Sequence, residues 1–183
     1  MILCCYEKKI KYISVDGIEK SGNTSVFREM KRFFSDKPLN LQEKKGFSVE
    51  DIDYIESKIE KEKAFFVRTN SILKAVYEES KELRNLNYIC NKYSENIRKE
   101  RSLNHSSGGV HFFLLPENTY SIGDRFDQGV PHYAGDLIRF FREINNTSFA
   151  QGLDIRLISF DSEDKIYDIR DKIIKIIEEE YSF

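Results

Sequence analysis

Short apolar runs alternate with longer segments of helical periodicity along this chain, and this alternation limits the folds that it can adopt. The β-rich runs stand at residues 9–16 (KIKYISVD), 64–67 (AFFV), 110–115 (VHFFLL) and 154–160 (DIRLISF). Between them, apolar residues recur at i, i+3 and i+4, which predicts helices over residues 24–35, about 71–100 and 131–144. Strands separated by helices predict a three-layer α/β domain with a mostly parallel sheet.

The remaining segments complete a single domain, as expected for 183 residues. Residues 37–47 predict a loop or a very short strand, and a helix is expected from Ser48, with isoleucines at helical spacing. A last helix is expected from near Asp161 to about Tyr181. The charged stretch NIRKERSLNHSSGG predicts a mobile loop near residues 98–109.

Composition excludes several classes of function. The chain has 29 Lys and Arg against 31 Asp and Glu, and a net charge of −2 gives no general field for nucleic acid or an anionic membrane. The opening MILCCYEKK has too short an apolar stretch for a signal peptide, and no apolar run is long enough to span a bilayer. Three cysteines, two of them adjacent, form no disulfide pattern. We therefore expect a cytoplasmic protein without nucleic-acid or membrane partners.

One segment carries the pattern of a phosphate-binding site. Between the first strand and the first helix, residues 17–24 read G-x-x-x-x-G-N-T, a phosphate-binding loop in all but one letter. Gly17 and Gly22 allow the backbone N–H groups to converge, and the helix N-terminus adds its dipole. Thr24 stands where such loops place the hydroxyl that binds Mg²⁺. The structural alternative is a glycine turn before an ordinary helix.

The sequence departs from this motif at one position, where Asn23 replaces the lysine that usually follows the second glycine. Asparagine donates a hydrogen bond but has no charge to offset the negative β- and γ-phosphates. Two interpretations of Asn23 stay open: a hydrogen bond to phosphate, or a cap on the helix. Lys20, within the loop, is either a partial substitute for the missing lysine or a solvated loop residue.

The run ISVDGIEKSGNTSVFREMKRFF resembles the N-terminus of the thymidylate kinases, whose loop reads F-E-G-x-D-[basic or small]-[SA]-G-K-[ST]-[ST]. Asp16 matches the acidic residue before the first glycine, Glu19 replaces the loop aspartate, and Lys20 takes the basic place of one subgroup. Thr24 and Ser25 match the hydroxyl pair. The resemblance extends to most of the chain in the order of its elements, with VHFFLLPEN similar to the strand that ends in L-D-x-x-P-E.

The resemblance implies a P-loop nucleoside-monophosphate-kinase-like fold and a nucleotide site. The implied nucleotide-binding residues are Gly17, Glu19, Lys20, Ser21, Gly22, Asn23, Thr24 and Ser25. Lys20 and Arg68 are the implied catalytic residues, with Arg68 toward the second nucleotide. The implied ligands are ATP with Mg²⁺ on Thr24, and dTMP or another deoxynucleoside monophosphate. The family forms homodimers through helices, and the phenylalanine-rich first helix suits that role.

The chain departs from the family at several charged positions. Val67 stands in place of the aspartate of D-R-[YH], and Leu115 stands near the aspartate expected on the later strand. The substrate-site segment R-E-P has no clear counterpart, and a lid arginine pair would have to come from Arg98 and Arg101 or from Arg125 and Arg139.

Three functions agree with these residues. The first is a nucleotide-binding protein of thymidylate-kinase type with weak or absent phosphoryl transfer, since a lost charge contact lowers a rate by ~10²–10³. The second is an active dTMP kinase in which Lys20 or a lid arginine supplies the charge. The third is an interaction module that keeps the fold and binds no nucleotide. The sequence favours the first.

Overall fold

The computed structural model describes residues 8–18, 20–37, 43–44, 49–59, 65–67, 71–82, 85–123, 133–147 and 150–182. Its strands are β1 (Lys8–Lys9), β2 (Tyr12–Gly17), β3 (Glu43–Lys44), β4 (Phe65–Val67), β5 (Val110–Pro116), β6 (Ile155–Phe160) and β7 (Tyr181–Ser182). Its helices are α1 (Asn23–Ser35), α2 (Val49–Ile59), α3 (Ser71–Lys81), α4 (Leu86–Lys92), α5 (Ser94–Ser107), α6 (Tyr120–Gly123), α7 (Ala134–Glu143) and α8 (Ile166–Glu180), with a 3₁₀ turn at Ile144–Asn146.

The main sheet of the described residues has five parallel strands in the order β3-β4-β2-β5-β6. The chain moves from β2 outward to β3 in one direction and then returns across the sheet through β4, β5 and β6. Because crossovers between parallel strands are right-handed, α1 lies on one face of the sheet and α2, α5 and α7 lie on the other. The packing agrees, since α1 contacts α8 while α5 contacts α2 and α3. The predicted three-layer α/β class with a parallel sheet is confirmed.

The central strands are buried on both faces, as expected for a parallel sheet covered by helices. Every residue of β5 is buried. Phe113 of β5 stacks on Phe141 of α7, with ring centroids 3.9 Å apart. On the other face, the buried side of α1 consists of Val26, Phe27, Met30 and Phe34. This packing fixes where β2 ends and α1 begins.

A polar network lies within the core between β2, β5 and α5. The fully buried His111 has Nδ1 2.9 Å from Ser14 Oγ and Nε2 3.2 Å from Asn104 Oδ1. The Asn104 amide donates to the Gly152 carbonyl, so its own carbonyl accepts from His111. Next to it, the Tyr12 hydroxyl donates to the buried Glu100 carboxylate at 2.8 Å. These bonds give the buried polar groups of this network partners and connect α5 to the sheet.

A second, two-stranded sheet joins the two ends of the described chain. In it, β1 pairs in parallel with β7. Tyr181 of β7 donates a hydrogen bond from its hydroxyl to Asp154 at 2.9 Å, and Arg156 contacts both Asp154 and Glu180.

None of the helices in the described part of the chain combines the length and hydropathy that a bilayer crossing requires.

The structure corrects two expectations about helices. The segment 71–100 forms three helices rather than one, and α4 begins where the Asn85 side chain accepts the Tyr88 N–H. The loop expected near residues 98–109 is helical through Ser107, because Ile97 and Leu103 are buried against the domain. The helix ends at Gly108 with φ 65°, a left-handed cap that glycine adopts easily.

Candidate functional site

The predicted phosphate-binding loop connects β2 to α1 at the carboxyl edge of the sheet. β2 is the central strand, with β4 on one side and β5 on the other. The crossover direction reverses around this strand, and in open α/β sheets ligands bind at such a reversal beyond the carboxyl ends of the strands. The fold therefore positions residues 17–24 where a ligand site is expected.

The backbone of this loop has the turns that gather N–H groups. The Ser21 N–H donates to the Ile18 carbonyl at 3.0 Å, which closes a β-turn. Lys20 has φ 65° and Gly22 has φ 83°, so two alternate residues are left-handed. Lys20 is the only non-glycine residue with positive φ in the described ranges, and such a residue costs roughly 1 kcal/mol. Alternation of this kind forms a concave group of N–H donors that suits an anion.

Gly17 and Ser21 contact each other closely inside the loop. A Cβ on Gly17 would lie 2.2 Å from Ser21 Oγ and 3.0 Å from Leu114 Cβ, so any larger residue there would force these neighbours to shift. The Ser21 side chain is fully buried, and its hydroxyl has no hydrogen-bond partner among the described residues. A buried hydroxyl without a partner costs about 1–3 kcal/mol, which favours a ligand or water at this position.

Asn23 turns its side chain onto the start of α1. Its Oδ1 accepts the Thr24 N–H at 2.9 Å, so one of the donors of the helix N-terminus is already occupied. The Ser25 N–H donates to Gly22 O at 2.9 Å. Gly22 is the N-cap residue of α1, and the helix has no side-chain cap, so the bond from the Thr24 N–H is a local contact within the first turn. Both interpretations of Asn23 stay open, and the two backbone donors of Gly22 and Asn23 have no described acceptor.

The other predicted site residues fall into two groups. Lys20 and Ser25 are exposed, while Thr24 and Asn23 are partly buried in the first turn of α1. Glu19 and Arg68 lie outside the described residues, as does Arg125, so their predicted roles stay predictions. The structure brings Gly17, Lys20, Ser21, Gly22, Asn23, Thr24 and Ser25 together in a single loop and helix turn.

The remaining arginines proposed for a lid lie on α5 and α7. Arg101 of α5 lies beside Gly152, before β6, and so belongs to the amino edge of the sheet. Arg98 lies one turn earlier on the same helix, with an exposed side chain. Arg139 of α7 pairs with Asp136 at 2.8 Å within its own helix. The lid roles of Arg98, Arg101 and Arg139 stay predictions.

The charge available for a metal ion near the loop is small. β5, which pairs with β2 so that Leu114 is opposite Gly17, consists only of VHFFLLP and has no carboxylate. Phe65–Val67 of β4, on the other side, has none either. Asp16 of β2 is buried, and alternation along the strand puts it on the face of Ser14, which packs on α5 and not on α1. The described residues therefore do not fit a site in which Thr24 and a strand carboxylate together hold a Mg²⁺ ion.

The acidic loop between β6 and α8, at the same edge, is occupied by its own contacts. Asp161 accepts the N–H groups of Glu163 and Asp164, and Asp164 contacts Lys172 at 2.9 Å. Burial alone would raise the pKa of Asp164, but hydrogen bonds from Lys172 and the Asp161 N–H, with the Lys172 charge, hold that pKa below its ordinary value. These carboxylates hold the loop together.

Sequence reasoning missed the contact between Gly17, Ser21 and Leu114. Leu114 lies near the end of a predicted strand, but the sequence did not predict that this strand is adjacent to the first one. A cavity of about 700 Å³ also lies at the amino edge, lined by Lys11, Ser107 and Gly152 among others. It is remote from residues 17–24, so its size does not make it the site that the loop predicts.

Comparisons with known proteins find similarity to solved structures, and one of them shows how low that similarity is. No family model matches the chain, and no curated protein matches it. The crystal structure of a gluconokinase from Sinorhizobium meliloti 1021 is similar at 12% sequence identity, with a TM-score of 0.46, covering 92% of this chain and 91% of that chain. The loop geometry, and not this likeness, indicates what the site can bind.

Proposed function

We propose that this protein binds a nucleotide through residues 17–24 and has weak or absent phosphoryl transfer, in the manner of a thymidylate kinase with a degenerate phosphate-binding loop. The observation that carries the proposal is the loop itself, with left-handed Lys20 and Gly22 before the N-terminus of α1. A backbone of this shape collects N–H donors and a helix dipole, which together favour phosphate.

Weak transfer follows from the charges that the site lacks. Asn23 stands where a lysine would offset the phosphate charge, and its carbonyl accepts the Thr24 N–H. Removal of one preorganised contact to the developing charge lowers a rate by ~10²–10³. Lys20 is the basic residue within the loop, and its side chain is exposed. We therefore expect Lys20 to support nucleotide binding more than turnover.

An active dTMP kinase is the second candidate, and the position of Lys20 favours it. Its left-handed backbone is costly for lysine, and strain of this kind often accompanies function. If Lys20 supplies the missing charge, Mg²⁺-ATP and dTMP together should yield ADP. Arg68 is the residue proposed for the second nucleotide in that case.

Melting and titration calorimetry with ATP, with dTMP and with both test the proposal. A ligand at 100 times its Kd should stabilise the fold by about 2.7 kcal/mol, a shift of several degrees. Binding without ADP formation supports the proposal, and ADP formation supports the kinase. If neither ligand binds, the fold-only interaction module is the correct interpretation.

Two glycines provide a matched pair of variants for this test. Gly22 and Gly152 have φ 83° and 82°, and they lie at opposite edges of the sheet. Replacing either by alanine costs roughly 1 kcal/mol of left-handed strain. Only Gly22→Ala should also weaken nucleotide binding. Equal loss of binding in both variants would contradict a site at residues 17–24.

We also propose a homodimer that uses α1. Phe33 of this helix is 39% exposed, with Lys37 over its ring, whereas the neighbouring Phe34 is fully buried. Light scattering on the intact protein and on Phe33→Ser tests this proposal. A monomer in the unaltered protein would contradict it.

A further inference from the structure

We infer that the loop of residues 17–24 binds the phosphate group of a nucleoside monophosphate or another phosphate monoester without Mg²⁺, in preference to a Mg²⁺-bound nucleoside triphosphate. The inference rests on the proposed function and names the class of ligand that this site accepts. Metal-free binding of this kind is the opposite of the expected Mg²⁺ site at Thr24, so a comparison with and without Mg²⁺ distinguishes the two.

The donors near the loop are suited to a phosphate oxygen. The backbone N–H groups of Gly22 and Asn23 have no acceptor among the described residues. The Ser21 hydroxyl is fully buried in the same turn, without a partner there. The first turn of α1 has no acidic residue that would repel an anion. All of these groups donate hydrogen bonds, and none of them requires a metal ion.

Among the described residues, no carboxylate is arranged beside Thr24 as a Mg²⁺ site requires. Mg²⁺ in phosphate sites is held by one or two carboxylates together with the substrate phosphates. In the described strands beside the loop, the only carboxylate belongs to Asp16, which faces the α5 layer. Glu117 is exposed one residue after β5, where its N–H donates to Phe160 O of β6. Asp161 and Asp164 are bound within their own loop.

The low charge of the loop also suits a small anion. Residues 17–24 include one basic residue, Lys20, and one acidic residue, Glu19, while Asn23 is neutral, so the loop sequence has no net positive charge. A phosphate monoester carries up to about two negative charges near neutral pH. A triphosphate carries more, and enzymes that bind it add a lysine and a metal ion to offset them. Neutral donors in a loop without net positive charge therefore favour the monoester, which is the anion of lower charge.

Isothermal titration of the intact protein tests this inference with orthophosphate, dTMP and ATP, each in excess EDTA and in excess Mg²⁺. We expect dTMP to bind with the same Kd in both conditions, within about twofold, and ATP to gain nothing from Mg²⁺. Orthophosphate and dTMP distinguish a free phosphate from an esterified one. A gain of about tenfold or more for ATP in Mg²⁺ would overturn the inference and leave the proposed function intact.

Titration with Mg²⁺ alone gives the second measurement. We expect no saturable binding to the protein. Saturable binding that Asp16→Asn or Glu117→Gln removes would show a carboxylate site for the ion and would overturn the inference. If no phosphate ligand binds in either condition, the proposed function fails and this inference fails with it. Gly22→Ala should abolish dTMP binding in EDTA, while Gly152→Ala should retain it.

Discussion

Gly17 and Ser21 are so close that a single methyl group on the first would collide with the hydroxyl of the second. The Cβ of an alanine at position 17 would lie 2.2 Å from Ser21 Oγ. The end of β2 and the turn before α1 are therefore packed as one unit, and the shape of the loop depends on both residues.

Gly17→Ala should distort the loop and weaken ligand binding. Because Leu114 Cβ lies 3.0 Å from the added atom on the other side, the side chain of Ser21 has to move. Overpacking of this kind costs about 1–3 kcal/mol, which chemical denaturation measures. Gly135→Ala is the control, since nothing lies within 4 Å of its added Cβ and α7 gains up to about 1 kcal/mol from alanine. Equal stability of the two variants would contradict the close packing.

Asn23→Lys should tighten ATP binding. The substitution removes the Oδ1 that accepts the Thr24 N–H and adds a charge beside the loop. A hydrogen bond to a charged group contributes about 1.5–3 kcal/mol, which corresponds to roughly tenfold or more in Kd. Ser35→Lys adds the same charge at the other end of α1 and should leave the Kd unchanged. If Asn23→Lys binds ATP no better than the unaltered protein, the loop is not a phosphate site.

Lys20→Gly should raise stability and lower phosphate affinity at the same time. Glycine adopts φ 65° without the strain of a Cβ, so the free energy of unfolding should rise by about 1 kcal/mol. The loop also loses its cation, so titration with dTMP should give a larger Kd. Lys20→Ala separates the two effects, because it removes the charge and keeps the Cβ. Unchanged dTMP affinity in both variants would exclude a role for Lys20 in binding.

Asp164→Asn should make the fold less sensitive to acid. The folded pKa of Asp164 lies below its ordinary value of 3.8, so its ionised form stabilises the fold above that pH, and the stabilisation is lost as the pH falls through the folded pKa. Its partner Lys172 is partly exposed, so the contribution is about 0.5–1 kcal/mol. Melting curves from pH 7 to about pH 3 measure it. The unaltered protein should lose this stability below about pH 4, and Asp164→Asn should lack it at every pH. The control is Asp171→Asn at an exposed position, which should keep the acid-sensitive contribution of Asp164.

The strand and helix order was predictable because its signals are local. The run of apolar residues in 110–115 and the i, i+3, i+4 spacing in 24–35 correspond to β5 and α1 within one residue. The division of residues 71–100 into α3, α4 and α5 was harder to predict. It depends on the Asn85 cap and on tertiary packing that overrides the charged sequence before Gly108.

The site was predictable from residue types and not from its contacts. Glycine spacing identified the loop, since glycine permits the turn. The bond between Asn23 and the Thr24 N–H depends on a side-chain rotamer, which spacing does not determine. The bond between Ser14 and His111 joins residues 97 positions apart, so it exists only once β2 and β5 are paired.

The order of the strands also has a consequence for synthesis of the chain. β2 is the central strand and carries the start of the loop, but its partner β5 begins only at Val110. A nascent chain that has not yet reached Val110 therefore holds an apolar strand with an open edge, and such edges pair with other chains. During that interval the backbone edge of β2 that later pairs with β5 stays unpaired, and slow translation before residue 110 lengthens the exposure.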